Sequence, residues 1–355
     1  MVQKEKSEKK RKANRRDKMV KISILGCGAW GIGIAVLLNN NSHKVTMWSA
    51  LDTEVEMLRE KRENINSLSG VILDEKIEIT DDLKHACEDA DIIVMAVASR
   101  FTRQTSAKIK EYIKKGQIIV NVGKGIEEET LMTLTEIIEQ EIHEADVAVL
   151  SGPSHAEEVG RGKPTTCVVG AKTKKTAEYI QEVFMSKVFR VYTSPDILGI
   201  EIGGSLKNVI ALAAGLADGF GYGDTTKAAL ITRGIAEISR LGTAMGAKVQ
   251  TFGGLSGIGD LIVTCASMHS RNRRAGILIG QGMAPEDAMK EVNQVVEGVY
   301  SAKAGLLLAK KYNVSLPIIE QVNNVLFEGK DVKAAVTELM LRDKTSEISD
   351  KYWND

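Results

Sequence analysis

Two patterns of apolar positions alternate through the first half of the chain. Short β-branched runs recur at "KISIL" 21–25, "KVTMW" 44–48, "KIEIT" 76–80, "DIIVMAV" 91–97, "QIIVNV" 117–122, "VAVL" 147–150, "TTCVV" 165–169 and "FRVYT" 189–193. Between many of them lie helix-compatible stretches, such as 52–62, 102–115 and 130–142. Strand alternating with helix predicts a parallel, doubly wound sheet. After Ser194 the β-branched runs stop. "SPD" 194–196 predicts a helix start, with Ser194 as cap and Pro195 at the first helical position. Helical patterns then follow over roughly 196–217, 225–246, 270–281, 285–293, 300–311 and 316–328. The second half therefore reads as all-helical.

A chain of 355 residues exceeds what one hydrophobic core usually serves, so two domains are expected. The composition, 43% hydrophobic and 26% charged, is that of an ordinary soluble globular protein. A net charge of zero hides an asymmetry: residues 1–18 hold nine Lys/Arg against three Asp/Glu, so a basic tail precedes a mildly acidic body. That tail has no aromatic residue and no fold signal, so it reads as a disordered solubilising extension rather than a nucleic-acid-binding arm. Met19, directly before the first strand, is an alternative start. The four cysteines, Cys27, Cys87, Cys167 and Cys265, form no CxxC pair, and the five histidines show no metal-ligand spacing. Reduced thiols, a cytoplasmic location and no metal site are expected.

The uncharged run "ISILGCGAWGIGIAVLL" 22–38 follows the basic tail, which is also the order of a signal peptide or anchor. At 17 residues it lies at the lower edge of a membrane span. Its glycines have a better explanation. "GCGAWG" 26–31 fits G-x-G-x-x-G, directly after the first strand and at the opening of a helix. Such glycines permit a tight turn and let the backbone and the helix N-terminus meet a pyrophosphate. Dinucleotide binding through Gly26, Gly28 and Gly31 is therefore expected, and the fold class is α/β: a Rossmann-type doubly wound sheet over 19–193, a helical domain over 194–345, and a short tail 346–355. An acidic residue or an arginine at the end of the second strand would choose NAD or NADP. "WSALD" 48–52 has no arginine, and Asp52 comes too late, so the choice stays open.

One lysine, Lys207, stands inside the otherwise apolar "GGSLKNVIALAAGLADG" 203–219. Its neighbours at one-turn spacing, Ile200, Gly203, Gly204, Ala211 and Ala214, are nearly all small and leave room for a ligand. The competing reading is tight helix packing with the lysine snorkelling to water. Lys124 follows a strand end, where doubly wound folds bind ligands. Asp260, in "GIGD", suits either an ammonium partner or a helix cap. "SRNRRAG" 270–276 reads as a helix start capped by Ser270, a combination that makes a phosphate site. Arg273 and Arg274 are expected to face solvent or cofactor phosphate. Met245 and Met268 read as core, and neither His155 nor His269 is assigned to chemistry.

With "GKG" 123–125, "SGPSHAEEV" 151–159, "GGSLKNVIALAAG" 203–215, "GIGDLIVTC" 257–265, "HSRNRRAG" 269–276 and "QVVEG" 294–298 in order, the chain over about 19–345 resembles the bacterial NAD(P)-dependent glycerol-3-phosphate dehydrogenases. The resemblance implies reduction of dihydroxyacetone phosphate to sn-glycerol 3-phosphate for phospholipid synthesis, by a cytoplasmic homodimer without membrane insertion or nucleic acid. It also implies roles for residues. Lys207 matches the proton donor/acceptor, with Lys124 and Asp260 in the catalytic set. Cofactor contacts fall on Ala29, Trp30, Lys124, Ala156, Arg271, Val295 and Glu297. Substrate contacts fall on Lys124, Gly152, Ser154, Lys207, Asn208, Asp260, Thr264, Ser270, Arg271 and Asn272. Ala29 and Gly33 depart from the serine and alanine common in the family, Gly123 from its Ser/Thr, and "NSLSG" 66–70 from its Tyr/Leu-Pro. The runner-up reading is another two-domain dehydrogenase, acting on a different hydroxy acid or sugar acid.

Overall fold

The computed structural model describes residues 19–344, 346 and 347. The basic tail 1–18 and most of the segment 346–355 lie outside the described residues. Eight strands form one sheet: β1 (Lys21–Leu25), β2 (Lys44–Trp48), β3 (Glu78–Thr80), β4 (Ile92–Met95), β5 (Ile118–Asn121), β6 (Asp146–Ser151), β7 (Thr165–Ala171) and β8 (Phe189–Ser194). Each answers to one of the β-branched runs. Their order is β3-β2-β1-β4-β5-β6-β7-β8. The chain winds outward from β1 in both directions, so the carboxyl ends of β1 and β4 flank the point where the order reverses. Helices cover both faces, which is why β1 and β4 are apolar almost without interruption.

The sheet is not wholly parallel, as the strand–helix alternation had suggested. β7 pairs antiparallel with β6, and β8 follows β7 in parallel. The β6–β7 connection contains only the one-turn helix Ala156–Val159. That is too little helix to carry the chain back for a parallel crossover, so it returns beside β6 in the opposite direction. The apolar run 22–38 resolves into β1, the glycine turn and the buried helix Ala29–Asn40.

Past β8 the chain is helical. Ser194 ends β8 instead of capping a helix; the cap is Asp196, whose carboxylate accepts from Gly199 N at 3.1 Å and from Lys248 N at 2.9 Å. A carboxylate at a helix N-terminus serves two backbone donors and meets the helix dipole, which a hydroxyl does less well. The helix it starts, Ile197–Phe220, is the one described helix long and apolar enough to cross a membrane, yet 89% of its apolar window is buried inside the fold. It is the axle of the second domain, packed by Asp224–Ala244, Asp260–Ala266, Arg271–Gly280 and Glu297–Tyr312. Its small residues make that possible. A Cβ on Gly215 would collide with the carbonyl of Arg273, and one on Gly276 with the carbonyl of Leu212. The 197–220 and 271–280 helices therefore touch backbone to backbone. Helices Lys174–Phe184 and Val332–Met340 were not singled out by the sequence pattern.

Candidate active site

The glycine loop joins β1 to the helix that begins at Ala29. Gly26 has φ +119°, and a Cβ there would stand 2.7 Å from the carbonyl oxygen of Ala96. A Cβ on Gly31 would overlap the carbonyl of Gly26. These two glycines allow the tight turn. Gly28 does something else: a Cβ on it would meet no atom within 4 Å, so open space lies over it. As helix cap it also offers no side-chain acceptor to the first-turn N–H groups of Ala29, Trp30 and Gly31. Free donors, a positive helix end and open space fit a pyrophosphate. Ala156, buried, packs against the helix that follows the loop, its carbonyl 3.3 Å from where a Cβ on Gly33 would stand.

Across the carboxyl edge of the sheet, the two lysines meet. Lys124 follows β5 in a loop held by the 197–220 helix: Ser205 Oγ donates to Gly125 O at 3.0 Å, and Asn121 Oδ1 accepts from Gly123 N at 3.0 Å. Asn121 Nδ2 in turn donates to Glu201 Oε1 at 3.1 Å. Lys124 Nζ donates to Asp260 Oδ2 at 2.7 Å and to Gly152 O at 3.4 Å. Ser154 Oγ donates to the same Gly152 carbonyl at 3.0 Å. Lys207 Nζ donates to Asp260 Oδ1 and, at 2.7 Å, to Thr264 Oγ1; Thr264 Oγ1 donates to Asp260 O at 2.6 Å. Asp260 is thus not a helix cap but a carboxylate shared by two ammonium groups. It is fully buried, and the Lys207 side chain is only 7% exposed. Lys207 does not snorkel.

Burial lowers the Lys207 pKa; the charge of Asp260 pulls it up and that of Lys124 pushes it down. The balance leaves it at about 7, far below an ordinary lysine. His155 stands nearby with its Nε2 buried and unpartnered and its ring 5.7 Å from that of His269. Burial, and then the charge of Lys207, hold it neutral.

The 271–280 helix presents its start to the same region. Ser270 caps it, accepting from Arg273 N at 3.2 Å. Arg271, the first helical residue, has no hydrogen-bond partner among the described residues. Burial lowers its pKa while Glu297 and Glu157 oppose that shift. A half-buried guanidinium without a partner at a helix N-terminus is suited to an anion. Asn272 is committed elsewhere: its Nδ2 donates to Asn208 Oδ1 at 3.0 Å and its Oδ1 accepts from Gly298 N at 2.8 Å. With its Oδ1 occupied, Asn208 has its own Nδ2 free to donate. Glu297 accepts from Ser99 N at 3.1 Å and from Ser99 Oγ, bridging the two domains, and Val295 lies in the linker just before it.

Two expectations are corrected. Arg273 does not face solvent or cofactor; it pairs with Asp218 at 2.7 Å beneath the site. Met268 is 58% exposed and not core. The sequence also passed over Ser99, Glu201 and Asn121, which hold the domains and the Lys124 loop together. Glu201 had a legible signal, being an acid within the apolar stretch of the helix that also carries Lys207. A separate cleft of about 420 Å³, lined by Thr166, Tyr192, Ile200 and Leu255 among others, contains none of the site residues.

A glycine-loop nucleotide cradle with a lysine–aspartate–lysine set centred on the buried Asp260 and an anion-ready helix start defines a two-domain dinucleotide-dependent dehydrogenase. The N-terminal model of the NAD-dependent glycerol-3-phosphate dehydrogenases matches residues 21–177 and the C-terminal model matches 196–337, and the chain belongs to that family. It is 61% identical over 335 residues to glycerol-3-phosphate dehydrogenase [NAD(P)+] of Agathobacter rectalis, covering 94% of this chain and 100% of the relative. Over 332 residues it is 62% identical to the enzyme of the same name from Fusobacterium nucleatum, covering 93% and 99%. The crystal structure of glycerol-3-phosphate dehydrogenase from Coxiella burnetii superposes with a TM-score of 0.88 at 34% identity, covering 91% of this chain and 99% of that one.

Proposed function

We propose that the protein reduces dihydroxyacetone phosphate to sn-glycerol 3-phosphate with NAD(P)H, and that Lys207 delivers the proton. The observation that carries this reading is the buried Asp260 shared by Lys207 and the half-buried Lys124, beside an unpartnered Arg271. A nicotinamide cofactor held by the glycine loop would supply the hydride for the substrate's carbonyl carbon. Charge then develops on the carbonyl oxygen, which needs a proton and a nearby cation. The Lys207 ammonium gives up one N–H proton to that oxygen and is left as the neutral amine. Asp260 and Thr264 hold Nζ in place by two hydrogen bonds, so it does not reorient during the transfer. The Lys124 side chain beside it stabilises the oxyanion. With its pKa near 7, Lys207 gives up and regains the proton at neutral pH. Reduction needs the ammonium, so its rate falls as pH rises through about 7; oxidation of the alcohol needs the free amine and rises over the same range.

Arg271 and the N–H groups that open its helix bind the substrate phosphate, with Ser270 fixing the helix start. Asn208 Nδ2 donates to the substrate, held in orientation by Asn272. Gly152 and Ser154 wall the substrate pocket. In this reading residues 19–193 hold the cofactor and 194–345 the substrate, the working unit is a cytoplasmic homodimer, and the product feeds phospholipid synthesis.

The test is oxidation of NADH and of NADPH on adding dihydroxyacetone phosphate. Turnover with the phosphorylated ketone and little with hydroxyacetone is expected. Equal rates with both ketones would contradict the phosphate site.

A further inference from the structure

NADH and NADPH differ only by a phosphate on the adenosine ribose. In a Rossmann fold that ribose lies at the carboxyl end of the second strand, beside the glycine loop. Here Gly26 N donates to the carbonyl of Trp48, the last residue of β2, at 2.8 Å. Ser49 therefore stands directly against the glycine loop. In sequence no acidic residue occupies the strand end, and Asp52 is exposed. The structure supplies one from further along. Glu54, in the first turn of the helix Asp52–Lys61, folds back and accepts from Ser49 Oγ at 2.6 Å.

The hydroxyl's orientation is fixed from both sides. Ser49 Oγ accepts from Leu51 N at 3.2 Å and so gives its own proton to the carboxylate. Ser49 is buried and Glu54 half-buried. The carboxylate's field reaches the glycine loop, where it adds to burial in raising the pKa of the Cys27 thiol. Among the described residues no cation forms an ion pair with Glu54. A carboxylate in this setting keeps lone pairs for a diol and has nothing to offset its charge against an anion.

We propose that Glu54, held in place by Ser49, makes the protein select NADH over NADPH by accepting from the ribose 2′-hydroxyl and repelling a 2′-phosphate. The proposal rests on the glycine loop being the cofactor site. The competing role is purely structural: a third-position glutamate that steadies the start of its helix.

Equilibrium binding separates the two. NADH and NADPH are each titrated into wild type, Glu54→Gln and Ser49→Ala, followed by quenching of tryptophan fluorescence, with a thermal melt of each protein. Wild type is expected to bind NADH about tenfold or more tightly than NADPH, the value of one hydrogen bond to a charged group. Glu54→Gln should tighten NADPH, weaken NADH and bring the two Kd values close together. Ser49→Ala frees the carboxylate without removing it and should narrow the ratio in the same direction by less. Discrimination in wild type should also shrink as salt screens the charge. Equal wild-type affinities, or a Glu54→Gln variant with a lowered melting temperature and an unchanged ratio, would overturn the proposal. Wild type binding neither nucleotide would overturn the cofactor reading beneath it.

Discussion

Asp260→Asn removes one negative charge from between two ammonium groups and changes almost nothing in shape. At the 2.7 Å of the Lys124 contact, with an effective dielectric of about 20, one such attraction amounts to about 6 kcal/mol before desolvation is counted. Desolvation of the three groups offsets most of that while the set is complete. Once the carboxylate is gone, the offset remains and the attraction does not. Breaking a buried ion pair this way costs about 3–5 kcal/mol, so thermal unfolding of the variant should fall by on the order of 10 °C. Lys207 relieves part of the cost by losing its proton, since the Asp260 charge is what pulls its pKa up against burial. The kcat profile for ketone reduction should therefore move to lower pH. A double-mutant cycle isolates the effect: Lys207→Met placed on Asp260→Asn should recover stability, because it removes one stranded cation. Unchanged melting of Asp260→Asn, or single-variant losses that add within about 0.5 kcal/mol, would refute the shared-carboxylate reasoning.

Arg271→Ala should raise KM for dihydroxyacetone phosphate by roughly 30- to 150-fold, the loss of one charged contact of about 2–3 kcal/mol, while leaving the rate with hydroxyacetone nearly unchanged; steady-state kinetics with both ketones checks it. Gly276→Ala places a methyl group on the carbonyl of Leu212, so the 271–280 helix must move away from 197–220. It should cost about 1–3 kcal/mol by thermal melt and raise KM for the phosphorylated substrate, since Arg271 rides on that helix. Glu201 is buried, and burial raises its pKa from 4.5 to about 7. The folded state thus holds a proton that the unfolded chain has already lost. Stability from this group is full below about pH 4.5 and is lost as pH rises through 7, by at most about 3 kcal/mol. Glu201→Gln should flatten that slope in a series of melts across pH.

Much of the fold could be read in the chain because strand and helix leave different periods. All eight strand runs formed strands, and the largest helix was visible from its apolar span. The direction of β7 was not legible, since a strand's hydrophobicity is the same whichever way it runs; only the shortness of the 152–164 connection hinted at the reversal. The sequence does not distinguish a cap at Ser194 from one at Asp196, because both precede the helix and only geometry shows which oxygen reaches Gly199 N. In the site, the lysines and Asp260 stood out as charges in apolar or glycine-rich settings. That Asp260 joins them, across 136 and 53 residues of sequence, is a fact of tertiary packing. So is the return of Glu54 to Ser49.

Turnover of Lys207→Met tests the central claim most directly. Methionine keeps the stem and its packing but has no proton to give and no charge to offer. If Lys207 protonates the carbonyl oxygen, kcat for dihydroxyacetone phosphate reduction should fall by about 10²–10⁴-fold, the usual share of a general acid, with cofactor affinity and a cooperative melt retained. Near-normal turnover in a folded, cofactor-binding variant would contradict it.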